Sequence, residues 1–274
     1  MAGKSVLTTG ANSGIGLATV IEVARRGYHS IGSVRSATKA DIVHRAASDA
    51  GVEVETVIID VNDAAQCEEI VGGRSLFGLV NNAGYGLTGA VEDVPEQEAR
   101  ALFDTMVFAP MRLSRLVLTA MRRAGEGRIV NISSVAGRTT APFAGWYTGA
   151  KHALEALSDA MRIEVASLGV KVVLVEPGGF RTNIWDDFEG DAARWTERGS
   201  RHAEAYRRSL DGQKRLDRLM GQPETVAKVV VAALGARLPR ARYLVGADAQ
   251  LLTLADTMTP TFIKDRIIRM GLGI

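Results

Sequence analysis

The sequence predicts a doubly wound α/β fold, a parallel sheet of about seven strands with helices on both faces, on three observations. Short runs rich in Val and Ile alternate with longer stretches of helical spacing. Several of those runs are nearly continuous in apolar character, as strands buried on both faces must be. A glycine-rich turn joins the first run to the first helical stretch. Strict alternation implies right-handed crossovers between parallel strands.

Strand signals fall at 5–9, 29–34, 54–60, 76–81, 127–133, 170–176 and 243–245, bounded by Gly, Asn, Ser or Asp. Helical spacing occupies 14–26, 38–50, 63–72, 96–123, 146–167 and 226–234. Gly169 closes the fifth of these stretches as a C-terminal glycine stop. The segment 180–222 is the least regular, polar and rich in Arg and Asp, and holds Trp185 and Trp195. It lies on the C-terminal side of the sheet, where ligands bind in such folds. A solvated insertion is the plain reading; the two tryptophans favour a lid over substrate. A tail at 249–274, with Lys264, Arg266 and Arg269 among apolar residues, reads as a docked surface helix or a subunit contact, more than as a membrane-binding one.

The totals exclude several classes. No composition break, repeat or linker divides the 274 residues, so one domain, 1–274, is expected. A net charge of +2 is too small to imply nucleic acid or an anionic membrane. Cys67 is alone, so no disulfide framework or Cys-based metal site is expected, and a reducing, cytoplasmic setting fits. The apolar start at Ser5 is too short for a signal peptide's core, and no run reaches transmembrane length. His29, His44, His152 and His202 lack metal spacing.

The turn Thr9-Gly10-Ala11-Asn12-Ser13-Gly14-Ile15-Gly16 carries the first chemical signal. Glycine lets a pyrophosphate approach the backbone, and the following helix offers free N–H groups and a positive dipole end. No Lys-Ser or Lys-Thr follows, which rules out a P-loop. The second strand ends Ser33-Val34-Arg35-Ser36, without the carboxylate that would hold a free ribose 2′-hydroxyl. Arg35 instead offers a guanidinium fork suited to a 2′-phosphate, so NADP(H) is favoured, with NAD(H) as the alternative.

Tyr147 and Lys151 lie four apart on a predicted helix and share a face. Ser134 ends the strand before it. A phenol titrates near 10, and a neighbouring ammonium is expected to lower that value. Tyr147 would then exchange a proton with a carbonyl oxygen while Ser134 holds the same oxygen. Either pattern alone occurs by chance in many helices and strand ends.

Together these motifs resemble the short-chain dehydrogenase/reductase family over nearly the whole chain. The glycine turn from Gly10 to Gly16, Asn81-Asn82-Ala83-Gly84, Ser134, Tyr147-x3-Lys151 and Pro177-Gly178 stand in that family's order and approximate spacing. The resemblance implies a Rossmann-type dinucleotide site held by Gly10, Asn12, Ser13, Gly14, Ile15, Gly16 and Arg35. It implies that Asp60 and Val61 touch the adenine ring. Asn82, Ala83 and Gly84 would support the adenosine side, and Pro177, Gly178 and Thr182 the nicotinamide carboxamide. Lys151 would reach the nicotinamide ribose. Ser133 and Ser134 compete for the catalytic serine; Ser134 is preferred because it precedes Val-Ala-Gly, as the family's serine usually does. The branch resembled contains steroid and retinol dehydrogenases and many bacterial reductases. A homodimer or homotetramer, paired through helices 96–123 and 146–167, is also implied. One departure stands out: Met106 occupies the place where the family usually has an Asn that supports a proton relay to the lysine.

The expected activity is NADPH-dependent hydride transfer to or from a small-molecule carbonyl or alcohol. Phe143, Trp146, Trp185 and Phe188 flank the predicted mouth and suggest a lipophilic substrate. A nucleotide-binding regulatory protein with weak or lost catalysis is the alternative, supported by Met106. A sugar-nucleotide epimerase or dehydratase fits less well, since its relatives usually have a different glycine spacing and a longer C-terminal region.

Overall fold

The computed structural model describes residues 3–216 and 220–274. Its seven strands form a single sheet in the order β3-β2-β1-β4-β5-β6-β7, parallel throughout. The strands are β1 (Ser5–Thr9), β2 (His29–Val34), β3 (Glu55–Ile58), β4 (Gly78–Asn81), β5 (Gly127–Ile132), β6 (Val170–Pro177) and β7 (Arg242–Val245). The expected sheet is therefore present, with β3 and β4 shorter than their apolar runs. Ile59, just past β3, still donates its N–H to Val34 O.

The helices are α1 (Gly14–Arg25), α2 (Ala37–Asp49), α3 (Ala64–Val71), α4 (Glu96–Phe103), α5 (Ala109–Ala124), α6 (Gly145–Glu164), α7 (Ile184–Glu197), α8 (Ala203–Leu216), α9 (Pro223–Gly235), α10 (Ala247–Met258) and α11 (Thr261–Leu272). Alternation along each strand sends successive side chains to opposite layers. Leu7, Leu79, Ile129 and Val172 pack with Leu113, Val117 and Met161 of α5 and α6. Val6, Val80, Val130 and Val173 pack with Val226 and Val230 of α9 on the other face.

Two expectations are corrected. The helical stretch at 96–123 is interrupted by a π turn at Asp104–Phe108, where Ala109 N–H reaches back to Asp104 O. Pro110 supplies the reason: it has no N–H to donate and its ring crowds the carbonyl four residues earlier, so the register widens just before it. The segment 180–222 is not irregular; it holds α7 and α8. Ile184, Phe188, Ala192 and Trp195 recur at helical spacing and pack inward, which leaves the Arg and Asp residues on the outer face.

The sheet is tied to the α5–α6 layer by a buried polar bridge. Asn81 Nδ2 donates to Asn131 Oδ1 at 2.8 Å, and Asn131 Nδ2 donates to Ser158 Oγ at 2.7 Å. Asn81 Nδ2 also lies 3.3 Å from Ser114 Oγ, so β4, β5, α5 and α6 are joined in one network. Such groups are costly when buried without partners. Asn131→Ala is expected to destabilise the protein by about 2 kcal/mol, a fall of about 6 °C in Tm. Urea and thermal unfolding would show it, and a loss under about 0.5 kcal/mol would mean the bridge is incidental.

Candidate active site

The strand order reverses between β1 and β4, and ligands in such sheets bind in the crevice that this reversal opens. A cleft of about 1610 Å³ lies there. That exceeds the usual range for one small ligand and leaves room for a dinucleotide beside a substrate. Its walls include Gly10, Asn12, Ser13, Gly14, Ile15, Gly16, Arg35, Asp60, Val61, Asn82, Ala83, Gly84, Ser134, Tyr147, Lys151, Pro177, Gly178 and Thr182. Every site residue expected from the sequence is thus brought to one cavity.

The loop after β1 is held close to the loop after β4. Asn82 Nδ2 donates to Thr9 O at 2.9 Å and to Gly10 O at 3.2 Å, and Thr9 Oγ1 accepts from the Asn82 and Ala83 N–H groups at 2.9 Å. A Cβ on Gly16 would stand 2.2 Å from Gly10 O and 2.4 Å from Asn82 Nδ2, so only glycine fits there. Gly10, at φ +65°, has Ala83 Cα only 3.0 Å from where its own Cβ would be. Ser13 precedes α1 without a side-chain hydrogen bond to its first turn. The N–H groups at this helix end therefore have no side-chain cap, the arrangement that receives phosphate.

Along the cleft toward the β2 end, Arg35 is exposed at the rim and Lys39 follows one turn into α2. Sequence reading missed Lys39, although its spacing from Arg35 was the available signal. Asp60 Oδ1 accepts from Asn62 N–H at 2.9 Å, and Val61 is buried at the cleft wall. At the opposite end, Thr182 packs on Gly14, its Cγ2 3.0 Å from a would-be Cβ. Asp248 was also missed: its Oδ2 accepts from Gly179 N–H at 2.6 Å and braces the turn after β6.

Tyr147 and Lys151 sit on α6 with little solvent access. Ser134 follows β5; its Oγ accepts from Ala136 N–H at 3.1 Å and lies in hydrogen-bonding reach of Tyr147. Ser133 turns the other way: its buried Oγ lies 2.7 Å from where a Cβ on Gly137 would be. Geometry therefore puts Ser134, not Ser133, beside the phenol. Lys151 Nζ donates to Ile132 O at 2.8 Å and stands 5.7 Å from the centre of the Tyr147 ring.

The electrostatics correct one expectation. Burial pushes the Tyr147 phenol up to about 12, against the lowering effect of the Ser134 hydrogen bond. The Lys151 ammonium is bound to a backbone carbonyl, and its attraction for the phenolate does not outweigh that burial. Burial in turn lowers Lys151 to about 8, with Glu155 acting in the opposite sense. The phenol is a proton holder at neutral pH, and of these two side chains the lysine titrates closer to neutrality.

Beyond Tyr147 the cleft becomes apolar, lined by Phe143, Trp185, Phe188, Leu210 and Leu252. Phe143 is held at φ +67°, a strained conformation for a bulky side chain. Its carbonyl accepts from Gly89 N–H at 2.7 Å, and its ring lies 4.6 Å from the Tyr206 ring. Trp146 does not line the cleft; it packs edge-on against Phe103, with Nε1 3.4 Å from Val91 O. Trp195 is buried, its Nε1 donating to Thr88 O at 2.7 Å. Only Trp185 of the two segment tryptophans faces the cavity. Met106 is buried in the π turn against Gly84, where it brings a thioether in place of an amide. Among the described residues there is no cluster of metal-ligating groups, and no helix is long and apolar enough to cross a membrane.

The chain matches the short chain dehydrogenase family over residues 4–192. Retinol dehydrogenase 7 of Mus musculus is 32% identical over 281 residues, covering 97% of this chain and 87% of its own. The NADPH-dependent 3-dehydrocapnine reductase of Ornithobacterium rhinotracheale is 32% identical over 278 residues, covering 96% of this chain and 95% of its own. The crystal structure of a short-chain dehydrogenase from Streptomyces avermitilis superposes with a TM-score of 0.77 at 31% identity, covering 100% of this chain and 97% of that one. The chain belongs to the short-chain dehydrogenase/reductase family. It is an oxidoreductase of that family, acting between carbonyl and alcohol.

Gly16→Ala is expected to force the loops after β1 and β4 apart, costing about 2 kcal/mol or more and abolishing dinucleotide binding. Thermal unfolding and equilibrium binding of NADPH would measure both; binding retained within about twofold would contradict the close packing.

Proposed function

We propose that this protein reduces a lipophilic carbonyl compound with NADPH, or oxidises the corresponding alcohol with NADP+. The observation that carries the proposal is the convergence of Ser134, Tyr147 and Lys151 between a phosphate-receiving loop and an apolar pocket. The residues fit the cofactor: glycine gives the close approach at Gly10 and Gly16, and the uncapped end of α1 suits a pyrophosphate. Arg35 and Lys39, with no carboxylate on the turn between them, suit a 2′-phosphate. The Ornithobacterium relative, an NADPH-dependent reductase, agrees with this choice.

When bound, the nicotinamide supplies the hydride. Tyr147, protonated at neutral pH, holds its Oη proton for the substrate oxygen and gives it up as charge develops there. Ser134 donates a hydrogen bond to the same oxygen and steadies that charge. Lys151, as an ammonium, stabilises the phenolate that Tyr147 becomes. In the alcohol direction each proton moves back. Phe143, Trp185 and Phe188 exclude water and favour an apolar substrate body. The segment that carries α7 and α8 acts as a lid, fastened to the loop after β4: Asp187 accepts from Gly86 N–H, and Asp191 from Thr88 N–H, each at 2.9 Å. A dimer or tetramer through α5 and α6 accords with the exposed Leu157 and Ile163 on α6 and Phe108 beside α5. A binding protein without turnover is the other reading, favoured by Met106.

Turnover of NADPH with aliphatic, aromatic and steroid ketones and aldehydes tests the proposal. Tyr147→Phe is expected to lower kcat by at least about 100-fold while NADPH still binds. No turnover in the parent protein on any of these carbonyls, with binding intact, would favour the binding-protein reading. The Arg35→Ala, Lys39→Ala double variant is expected to lose about 10-fold or more in kcat/KM for NADPH and little for NADH. An unchanged ratio of the two would remove both residues from cofactor choice.

A further inference from the structure

Behind the catalytic face of α6 lies a second cluster of ionisable groups. Glu155 follows Lys151 by one helical turn on the same buried face. Glu176, fully buried on β6, comes against it. Arg242 from β7 spans the two: its Nε is 3.0 Å from Glu155 Oε2 and 3.1 Å from Glu176 Oε1. The rest of the surround is Asp159 on α6, which pairs with Arg242 and Arg162, and Arg138 after β5, with Nε 3.5 Å from Glu176 Oε2.

The hydrogen bonding in this cluster is incomplete. Glu155 Oε1 and both oxygens of Glu176 are buried and accept no hydrogen bond among the described residues, although Arg138 and Arg242 lie at ion-pair distance. Two adjacent buried carboxyls cannot both carry charge cheaply, and one proton between them supplies the missing donor. Burial, and then the nearby Glu155, push the Glu176 carboxyl well above the usual carboxylate range.

We propose that Glu155 is a positioning residue for Lys151, and that by sharing one negative charge with Glu176 it sets the charge Lys151 carries. This rests on the role given above to Lys151. The pair titrates as a unit, and Glu176 is the carboxyl that holds the shared proton, which leaves the negative charge on Glu155. The two carboxyls are therefore not equivalent toward the lysine. Glu155→Gln removes the carboxylate nearest the ammonium, so Lys151 loses its proton at lower pH. Glu176→Gln replaces a protonated carboxyl by a neutral amide of the same shape, so the charge stays on Glu155 and the Lys151 midpoint stays in place. A purely structural role would alter stability and turnover without this difference.

The test is an NMR titration of 13Cε-labelled lysine in the full-length protein, with Lys151→Arg to assign the signal. The Lys151 midpoint, about 8 in the parent, is expected to fall by about one pH unit in Glu155→Gln and to stay within about 0.3 unit in Glu176→Gln. The alkaline limb of kcat for carbonyl reduction should move with it, since Lys151 acts as the ammonium below its midpoint. An unmoved midpoint in Glu155→Gln, or equal falls in both variants, would overturn the proposal. A fall in Glu155→Gln alone, with no turnover in the parent, would support this coupling and overturn the reductase reading instead. Should Glu155→Gln not fold, Glu155→Asp, which withdraws the carboxylate by one methylene, is expected to give a smaller fall, and no fall would count against the proposal.

Discussion

The pairing of β1 with β4 is the contact on which the site depends. It brings two loops from distant parts of the chain to the same edge of the sheet, and Asn82 and Thr9 fasten them by four hydrogen bonds. Those bonds fix Gly10 against Ala83 and leave no space for a Cβ at Gly16. The start of α1 is then aimed along the cleft. A parallel sheet makes this possible because every strand ends on the same side, so the loops after β1, β4, β5 and β6 all meet there.

Burial decides the chemistry of that meeting place. Removing water raises the cost of charge on Tyr147 and on Lys151 in opposite directions, one toward holding a proton and the other toward losing it. Lys151 remains useful near neutral pH because a backbone carbonyl and the Glu155 carboxylate compensate part of the lost hydration. The same low-dielectric interior places Glu176 beside Glu155, so the polar layer behind α6 is tied to the reacting face through a single helical turn. Met106 belongs to this balance too: the widened turn before Pro110 brings it against Gly84, without an amide to offer a proton path.

The apolar end of the cleft is built by a different principle. Side chains of α7 and α8 form a surface against the loop after β4, with carboxylates of α7 accepting from that loop's otherwise unpaired N–H groups. Tyr206 adds a strut, its hydroxyl bonded to Asp93 Oδ2 at 2.5 Å and receiving Ala90 N–H at 2.7 Å. The strained Phe143 is held between this strut and Gly89. On the other side of the cleft, Leu252 of α10 and Ile267 of α11 reach its wall.

The strand–helix alternation, the glycine turn and the Ser134, Tyr147, Lys151 pattern were legible in the sequence because each is local: periodicity, turn chemistry and helical spacing need no distant partner. Even the π turn had a local cause in Pro110, and α7 was written in the spacing of Ile184, Phe188, Ala192 and Trp195, hidden by the polar residues between them. What the sequence could not determine was which residues meet across the fold. Trp146 and Trp185 look equivalent as letters, yet one packs on Phe103 and the other faces the cleft. Ser133 and Ser134 are neighbours, yet just past β5 one hydroxyl turns toward Gly137 and the other caps the turn that begins at Val135. The sequence placed Lys151 beside Tyr147, but only the tertiary structure decided that burial, acting on both, would outweigh their attraction, and that Glu155, Glu176 and Arg242 from three separate elements would converge behind them.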